Sequence, residues 1–361
     1  MADVVAEHIA ALKDGDWAVR EEAAVALGTL QDPRAVAPLV SILRDSDRAV
    51  RQAAIGALRA IGEPSIPALG SCLSAPQLEV QEAASAILAS IADERVLAPL
   101  TASLGNKDWI VRMHAAQALG RIKSPDSVEP LLPLLQDKVK AVREEAAMAL
   151  AAIGDAAVPS LISALAHADW LVRLHAVEAL GRMRSPASVD PLLSVLFNDR
   201  DTAVREDVVR ALGQIGDERA VEFLVVTMKE PGLRPLAVEA LGQIGDRRAV
   251  PILIKVVEGT DQPMESRVVA GCGDRWDEEM VTRGAAVRAL GMLGDDAAIS
   301  ALLGALRDTV TRADAAAALA RFGSKVIPPL LGLLSQETTD DNFRFHVKET
   351  LAAVGWRPGR L

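Results

Sequence analysis

The stretch Ala203-Val-Arg-Glu-Asp-Val-Val-Arg-Ala-Leu-Gly-Gln-Ile-Gly-Asp-Glu-Arg-Ala-Val221 decides how the rest of the chain is read. Arg205 is followed seven residues later by Leu212 in a setting of small and branched apolar residues, and Gly216 closes the pattern. The same Arg-or-Gln to Leu pair is anchored also at Arg20, Arg51, Gln81, Arg112, Arg143, Arg173, Arg234, Arg283, Arg312 and Arg344. Steps between anchors are 31, 30, 31, 31, 30, 32, 29, 49, 29 and 32, so one unit of about 30 residues fills the chain with a single interruption. Such arrays bury a continuous core between neighbouring units, and one elongated domain over residues 1–361 is expected.

Within a unit, Asp32 to Asp45 places Val36, Leu39, Val40 and Leu43 at helical spacing, and Val50, Ala54, Ala57, Leu58 and Ile61 repeat that spacing after a polar turn. These are helices A and B. Gly62, like Gly154, Gly216, Gly245, Gly294 and Gly323, supplies the permissive backbone that ends helix B. Prolines such as Pro38, Pro99 and Pro191 fall near the start of helix A, where a missing amide costs no hydrogen bond. Asp16, Asp47, Asp108, Asp169, Asp201, Asp308 and Asp340 each precede an anchor by four residues, the place for a cap on the first amides of helix B.

Half of the residues are hydrophobic but only 3% are aromatic, with no Tyr, so the core is built from Ala, Leu, Val and Ile in closely stacked helices. The formal charge of −10 opposes the phosphate attraction on which non-specific nucleic-acid binders depend. Cys72 and Cys272 are too few and too far apart for a disulfide framework. Asp3 to Lys13 reads as an amphipathic helix and not a secretion signal, and no run of 18 apolar residues occurs. A soluble, cytoplasmic protein without a membrane partner is expected.

Ala141-Val-Arg-Glu-Glu-Ala-Ala-Met-Ala-Leu-Ala-Ala-Ile-Gly-Asp155 and the stretch quoted first resemble the HEAT-repeat family, and more narrowly its short variant named after phycobilisome lyases. The resemblance covers nearly the whole chain. It implies an all-α, right-handed α-solenoid of about eleven two-helix repeats, with helix B lining a concave surface. It also implies a ladder in which anchor arginines and preceding aspartates tie the repeats together. Asp14, Asp45, Asp137 and Asp199, six residues before an anchor, fit that ladder, whereas Asn106 and His167 depart from it.

In an array the shared positions make the core, so specificity is sought where units differ. Asp108 to Pro125 and Asp169 to Pro186 are near copies, 61 residues apart. Positions two, five and nine after the anchor share one face of helix B, reading His114, Gln117, Arg121 in one copy and His175, Glu178, Arg182 in the other. With Arg210, these form a candidate protein-binding strip over repeats four to seven; the alternative is a solvated face that keeps the array soluble. Trp17, Trp109 and Trp170 each follow a capping Asp. They are either exposed anchors for a partner or rings packed over the turn between units, the latter being favoured because aromatic side chains bury large areas. The long step lies at residues 259–281, read as an inserted loop between repeats eight and nine, with Arg267, Cys272 and Trp276 as candidates for partner contact.

One HEAT-like family performs metal-dependent hydroxylation with adjacent His-Glu pairs. No histidine here is followed by Glu, so no metal site, no catalytic residue and no cofactor is assigned. There is no phosphate-binding glycine loop and no paired-cysteine zinc motif. The expected work is that of a non-catalytic scaffold or adaptor holding another protein. The family resemblance leaves bilin lyase-like chemistry, or a bilin-carrying partner, as the enzymatic alternative. Nucleic-acid binding through Arg121, Arg182, Arg210 and Arg288 is less favoured, because Glu22, Glu145, Asp207 and Glu239 interleave with them.

Overall fold

A computed structural model describes residues 3–91, 93–261, 273–335 and 340–357, the side chains of residues 273–277 excepted. The chain divides into two compact units, Met1–Met183 and Arg184–Leu361. The described residues are helices and turns throughout, and each of the eleven anchors lies on its own helix B. In the first unit these helices are Trp17–Leu30, Arg48–Ile61, Leu78–Ile91, Trp109–Ile122, Lys140–Ile153 and Trp170–Met183. In the second they are Thr202–Ile215, Arg234–Ile244, Gly273–Leu293, Arg312–Ala320 and Asp341–Ala353. The fold is the expected α-solenoid of two-helix repeats. Among the described residues no single helix is long and apolar enough to cross a membrane.

Helix A is shorter than its apolar pattern suggests. Around Pro38 it begins with a 3-10 turn, Pro33–Ala35, runs as α-helix only over Val36–Ser41, and ends in a second 3-10 turn, Ile42–Arg44. Asp32 caps the first turn by accepting from the Arg34 amide at 2.9 Å. The tighter winding brings helix A to the next turn within fourteen residues. Helix B is the longer element and starts as expected: Asp16, Asp47, Asp108, Asp169 and Asp201 each accept from the amide two residues on, at 2.7–3.0 Å. It ends in left-handed backbone at Gly216 (φ 75°), and the same conformation is taken without glycine at Gln31 (φ 50°), Lys123 (φ 58°) and Arg184 (φ 52°).

All eleven leucines paired with the anchors, from Leu27 to Leu351, are 0% exposed. Each contributes on the order of 2 kcal/mol by leaving water. Successive B helices approach most closely at glycine: a Cβ placed on Gly120 would lie 2.7 Å from the Cα of Ala149 in the next repeat. The low aromatic content follows from this spacing, since no ring fits between backbones so close.

The ladder is present, and within each unit it joins most anchors to the following repeat. Arg20 donates from Nε and Nη2 to both oxygens of Asp45 at 2.8 and 2.9 Å, and Arg112 does the same to Asp137 at 2.7 and 2.8 Å. A third nitrogen, Nη1, binds the carbonyls of the arginine's own turn, for Arg112 those of Asn106 and Lys107. Asn106, which departs from the acidic pattern, still makes a rung: its Nδ2 donates to Oε1 of Gln81 at 2.8 Å, a neutral pair for a neutral anchor. In the second unit the rungs Arg205–Glu230, Arg234–Asp261, Arg283–Asp308 and Arg312–Asp340 use acids that the six-residue spacing does not pick out.

The interruption is only partly a loop. Residues 262–272, with Arg267 and Cys272, lie outside the described residues, as does the side chain of Trp276. From Gly273 onward the expected loop is helix, the opening of the 21-residue Gly273–Leu293. Its extra turns are held from the preceding repeat. Glu278 accepts from the Gly232 amide at 2.8 Å, and Glu279 stands 3.6 Å from Arg234.

Candidate functional site

The helix-B face of repeats four to six carries His114, Glu145 and His175 two residues after their anchors. His114 is half-buried, with Nδ1 3.3 Å from Ser85 Oγ, whose own proton goes to the Glu82 carbonyl. The hydrogen-bond network therefore assigns the proton to Nδ1. Burial disfavours the imidazolium and the Arg59 charge adds to this, so His114 titrates below the usual histidine range.

His175, placed on an open face by its register, is instead buried at 5% exposure. Arg143 explains why. His167 stands where its rung carboxylate would be, so Arg143 Nε donates to His175 Nε2 at 3.2 Å while Nη1 keeps the Asp137 carbonyl. With Nε2 accepting, Nδ1 carries the proton and donates to Glu178 Oε2 at 3.1 Å. Glu178 also accepts from Arg182 at 2.9 Å. The His175 hydrogen bond, then Arg182, hold its carboxyl below the usual range against the cost of burial. The twin repeats thus differ in chemistry, because the anchor before one is Gln81 and before the other Arg143.

The cationic candidates are engaged within the chain. Arg121 donates to the Ala89 carbonyl of the preceding helix B at 2.6 Å, Arg210 to Asp207 at 2.6 Å, and Arg288 to Asp314 at 2.8 Å. Gln117 is half-buried and forms no hydrogen bond. Between the histidines lies Glu145, whose carboxylate interleaves with the arginines of this face. Burial pushes its carboxyl up from the usual range, Arg121 only partly offsets this, and it accepts no hydrogen bond. His167 in a ladder position was the signal that could have pointed to Arg143 and its turn toward His175.

Trp17, Trp109 and Trp170, for which packing over the turn was favoured, are 49%, 39% and 42% exposed. Each is the first residue of its helix B. No preceding helical turn lies beneath such a side chain, so the ring projects past the helix end. Leu78, at the same place on repeat three, is 41% exposed.

A family profile for HEAT repeats matches residues 5–86, 66–151, 99–166, 128–196, 158–231 and 189–273, and one for the PBS lyase HEAT-like repeat matches residues 282–308. The chain is 32% identical over 232 residues to Deoxyhypusine hydroxylase-B of Oryza sativa subsp. japonica, covering 61% of this chain and 74% of that protein. It is 29% identical over 151 residues to Phycocyanobilin lyase subunit alpha of Nostoc sp., covering 36% of this chain and 55% of the relative. Among solved structures, importin beta superposes over 98% of this chain with a TM-score of 0.61 at 16% identity, a likeness of fold. This chain spans 60% of that importin.

Proposed function

Since the chain belongs to the HEAT-repeat family, we propose that it is a non-catalytic scaffold or adaptor that binds another protein on the helix-B face of repeats four to six. The observation that carries this reading is Glu145. Its half-buried carboxyl accepts no hydrogen bond within the chain, which leaves its oxygens open to a donor from outside. An amide or amine of a partner would supply that donor, with Gln117 and Arg182 of the neighbouring repeats on the same register face adding polar contacts. Residues 1–361 would act as one repeat array, a reading supported by HEAT matches that run across residue 183 without a break.

Affinity purification of the tagged full chain, followed by mass spectrometry, tests the proposal. A bound protein recovered with the wild type should fall at least tenfold with a Glu145→Arg, Arg182→Glu variant. Equal recovery with both would remove the helix-B face, and no specific partner would remove the scaffold reading. Deleting residues 259–281 in the same experiment asks whether that stretch takes part.

A bilin-handling role is the second reading, supported by the similarity to the lyase subunit. Mixing the purified protein with phycocyanobilin should then shift the visible absorption band. Metal-dependent hydroxylation is not proposed: none of the five histidines is followed by Glu, and among the described residues no three His, Cys, Asp or Glu side chains converge. Nucleic-acid binding is disfavoured further by the internal partners of Arg121, Arg182, Arg210 and Arg288.

A further inference from the structure

A different surface of the first unit, the edge formed by its A–B turns, combines three features. The first is apolar: Trp17, Leu78, Trp109 and Trp170 occupy equivalent exposed places at the head of helix B. The second is charge. In a chain of net −10, the exposed Arg48, Lys107 and Lys138 on this edge form no ion pair or hydrogen bond. Most carboxylates among them are engaged, Asp45 and Asp137 in rungs and Asp16, Asp47, Asp108 and Asp169 as caps, while Glu79 and the half-buried Glu82 beside it accept no hydrogen bond.

The third feature is a break in the ladder at this edge. Arg51 has Pro76 at the place, 25 residues on, where Arg20 and Arg112 find a carboxylate. Its Nη1 binds the Asp45 and Ser46 carbonyls at 2.6 and 3.0 Å, while Nε and Nη2 carry no partner. The next rung is the neutral Gln81–Asn106 pair. Beside it opens a cleft of about 500 Å³ lined by Pro76, Leu78, Gln81, Asn106, Lys107 and the capping Asp108 among others. Two successive rungs without an ion pair leave the Arg51 fork without a carboxylate, next to the exposed Leu78.

We propose that this edge docks an acidic, extended segment of a partner protein, one carboxylate entering the open guanidinium fork of Arg51 and an apolar side chain entering the cleft next to Leu78 and Lys107. The carboxylate would reproduce the bidentate pairing of the other rungs. Adjacent helices pack about 8–10 Å apart and an extended chain rises about 3.3 Å per residue, so acid and apolar residue should be about three positions apart. Arginine with an exposed aromatic neighbour is a common pairing at protein interfaces. This site is separate from the helix-B face, and either can fail without the other.

A random 12-residue peptide library displayed against the immobilised full chain provides the probe, and a fluorescein-labelled copy of a selected peptide gives the affinity by anisotropy. Selected peptides should carry Asp or Glu about three residues from Leu, Ile or Phe. Arg51→Gln and Lys107→Glu should each weaken binding at least tenfold, and Lys348→Gln, on the exposed side of helix Asp341–Ala353, should leave it unchanged. Gln is a tolerated anchor, because Gln81 keeps the hydrogen bond to its own turn carbonyl at Ala75. Arg51→Gln thus removes the fork and not the fold. The proposal is overturned if no peptide is selected, if basic peptides are, or if binding responds to Lys348→Gln and not to the edge substitutions. Displacement of the selected peptide by an equimolar single-stranded 20-nucleotide DNA would overturn it in favour of nucleic acid.

Discussion

In residues 1–183 each of the six B helices is fourteen residues long and the anchors follow one another at 30 or 31. In residues 184–361 the five B helices run to 14, 11, 21, 9 and 13 residues, and the anchor steps include 29 and 49. The rungs respond differently in the two regions. In the first, acceptors sit 25 residues after their anchors, and where the sequence offers no carboxylate there, as at Ala75-Pro76 or His167-Ala168, Arg51 is left open and Arg143 turns to His175. In the second, Arg205–Glu230 and Arg283–Asp308 keep that offset, but Arg234 reaches Asp261 across 27 residues and Arg312 reaches Asp340 across 28. Most anchors are hydrogen-bonded between turns, and a regular pitch is one of two ways to supply the acceptor.

The largest expected effect tests whether rungs in the two regions are equivalent. Arg112 and Asp137 are 7% and 10% exposed, so Arg112→Ala strands a buried carboxylate and should cost about 3–5 kcal/mol in urea unfolding. Arg205 and Glu230 are 24% and 38% exposed, and Arg205→Ala should cost about 0.5–1 kcal/mol. Equal costs would end the distinction. Burial opposes the Asp137 charge, but Arg112 and the Val139 amide still hold its carboxyl below the usual range. A depressed carboxyl contributes stability that is complete above its unfolded value of about 4 and is lost as pH falls through the folded one. The gap between wild type and Arg112→Ala should therefore shrink as pH drops below about 4.

Gly120→Val asks how tightly the regular region is packed. The added Cβ meets the Ala149 backbone, which cannot rotate away as a side chain could. Helices 109–122 and 140–153 must separate, at a cost of about 1–3 kcal/mol by thermal or urea unfolding. Gly56, whose Cβ would meet nothing within 4 Å, serves as the control. Its replacement by Ala should be neutral or stabilising, by up to about 1 kcal/mol. A smaller gain is expected at Lys123, held at φ 58° where Gly216 sits in a later repeat. Lys123→Gly relieves left-handed strain and should raise stability by up to about 1 kcal/mol, less the entropy of a freer unfolded chain.

The repeat, the anchors, the buried leucines and the caps were legible in the sequence because each depends on local spacing. The rungs were legible only where the pitch was regular; Asp261 and Asp340 escape a fixed six-residue rule because they answer to distance in space. On the helix-B face the register placed His114 and His175 alike, yet one meets Ser85 and the other Arg143. Burial of His175 follows from a substitution at His167, on a different turn, and no pattern within its own helix carries that information. The tryptophans show the opposite error. Their size suggested packing, while their position as first residue of a helix leaves nothing beneath them to pack on.

The smallest effect lies at the junction where the second region absorbs its extra residues. Glu279, on the lengthened helix, is pushed up from the usual carboxyl range by burial, with Asp261 adding and Arg234 opposing. A carboxyl raised on folding destabilises the protein while it is ionised, and the penalty disappears as pH falls through the folded value. Glu279→Gln keeps the shape and removes the charge. At neutral pH it should stabilise the protein by well under about 1 kcal/mol, since the side chain remains one-third exposed at 34%. Below pH about 4 the variant and the wild type should unfold at the same urea concentration. A destabilised Glu279→Gln at neutral pH would mean that the carboxylate is a second acceptor for Arg234. The irregular region would then hold its longest step with two acids where the regular region uses one.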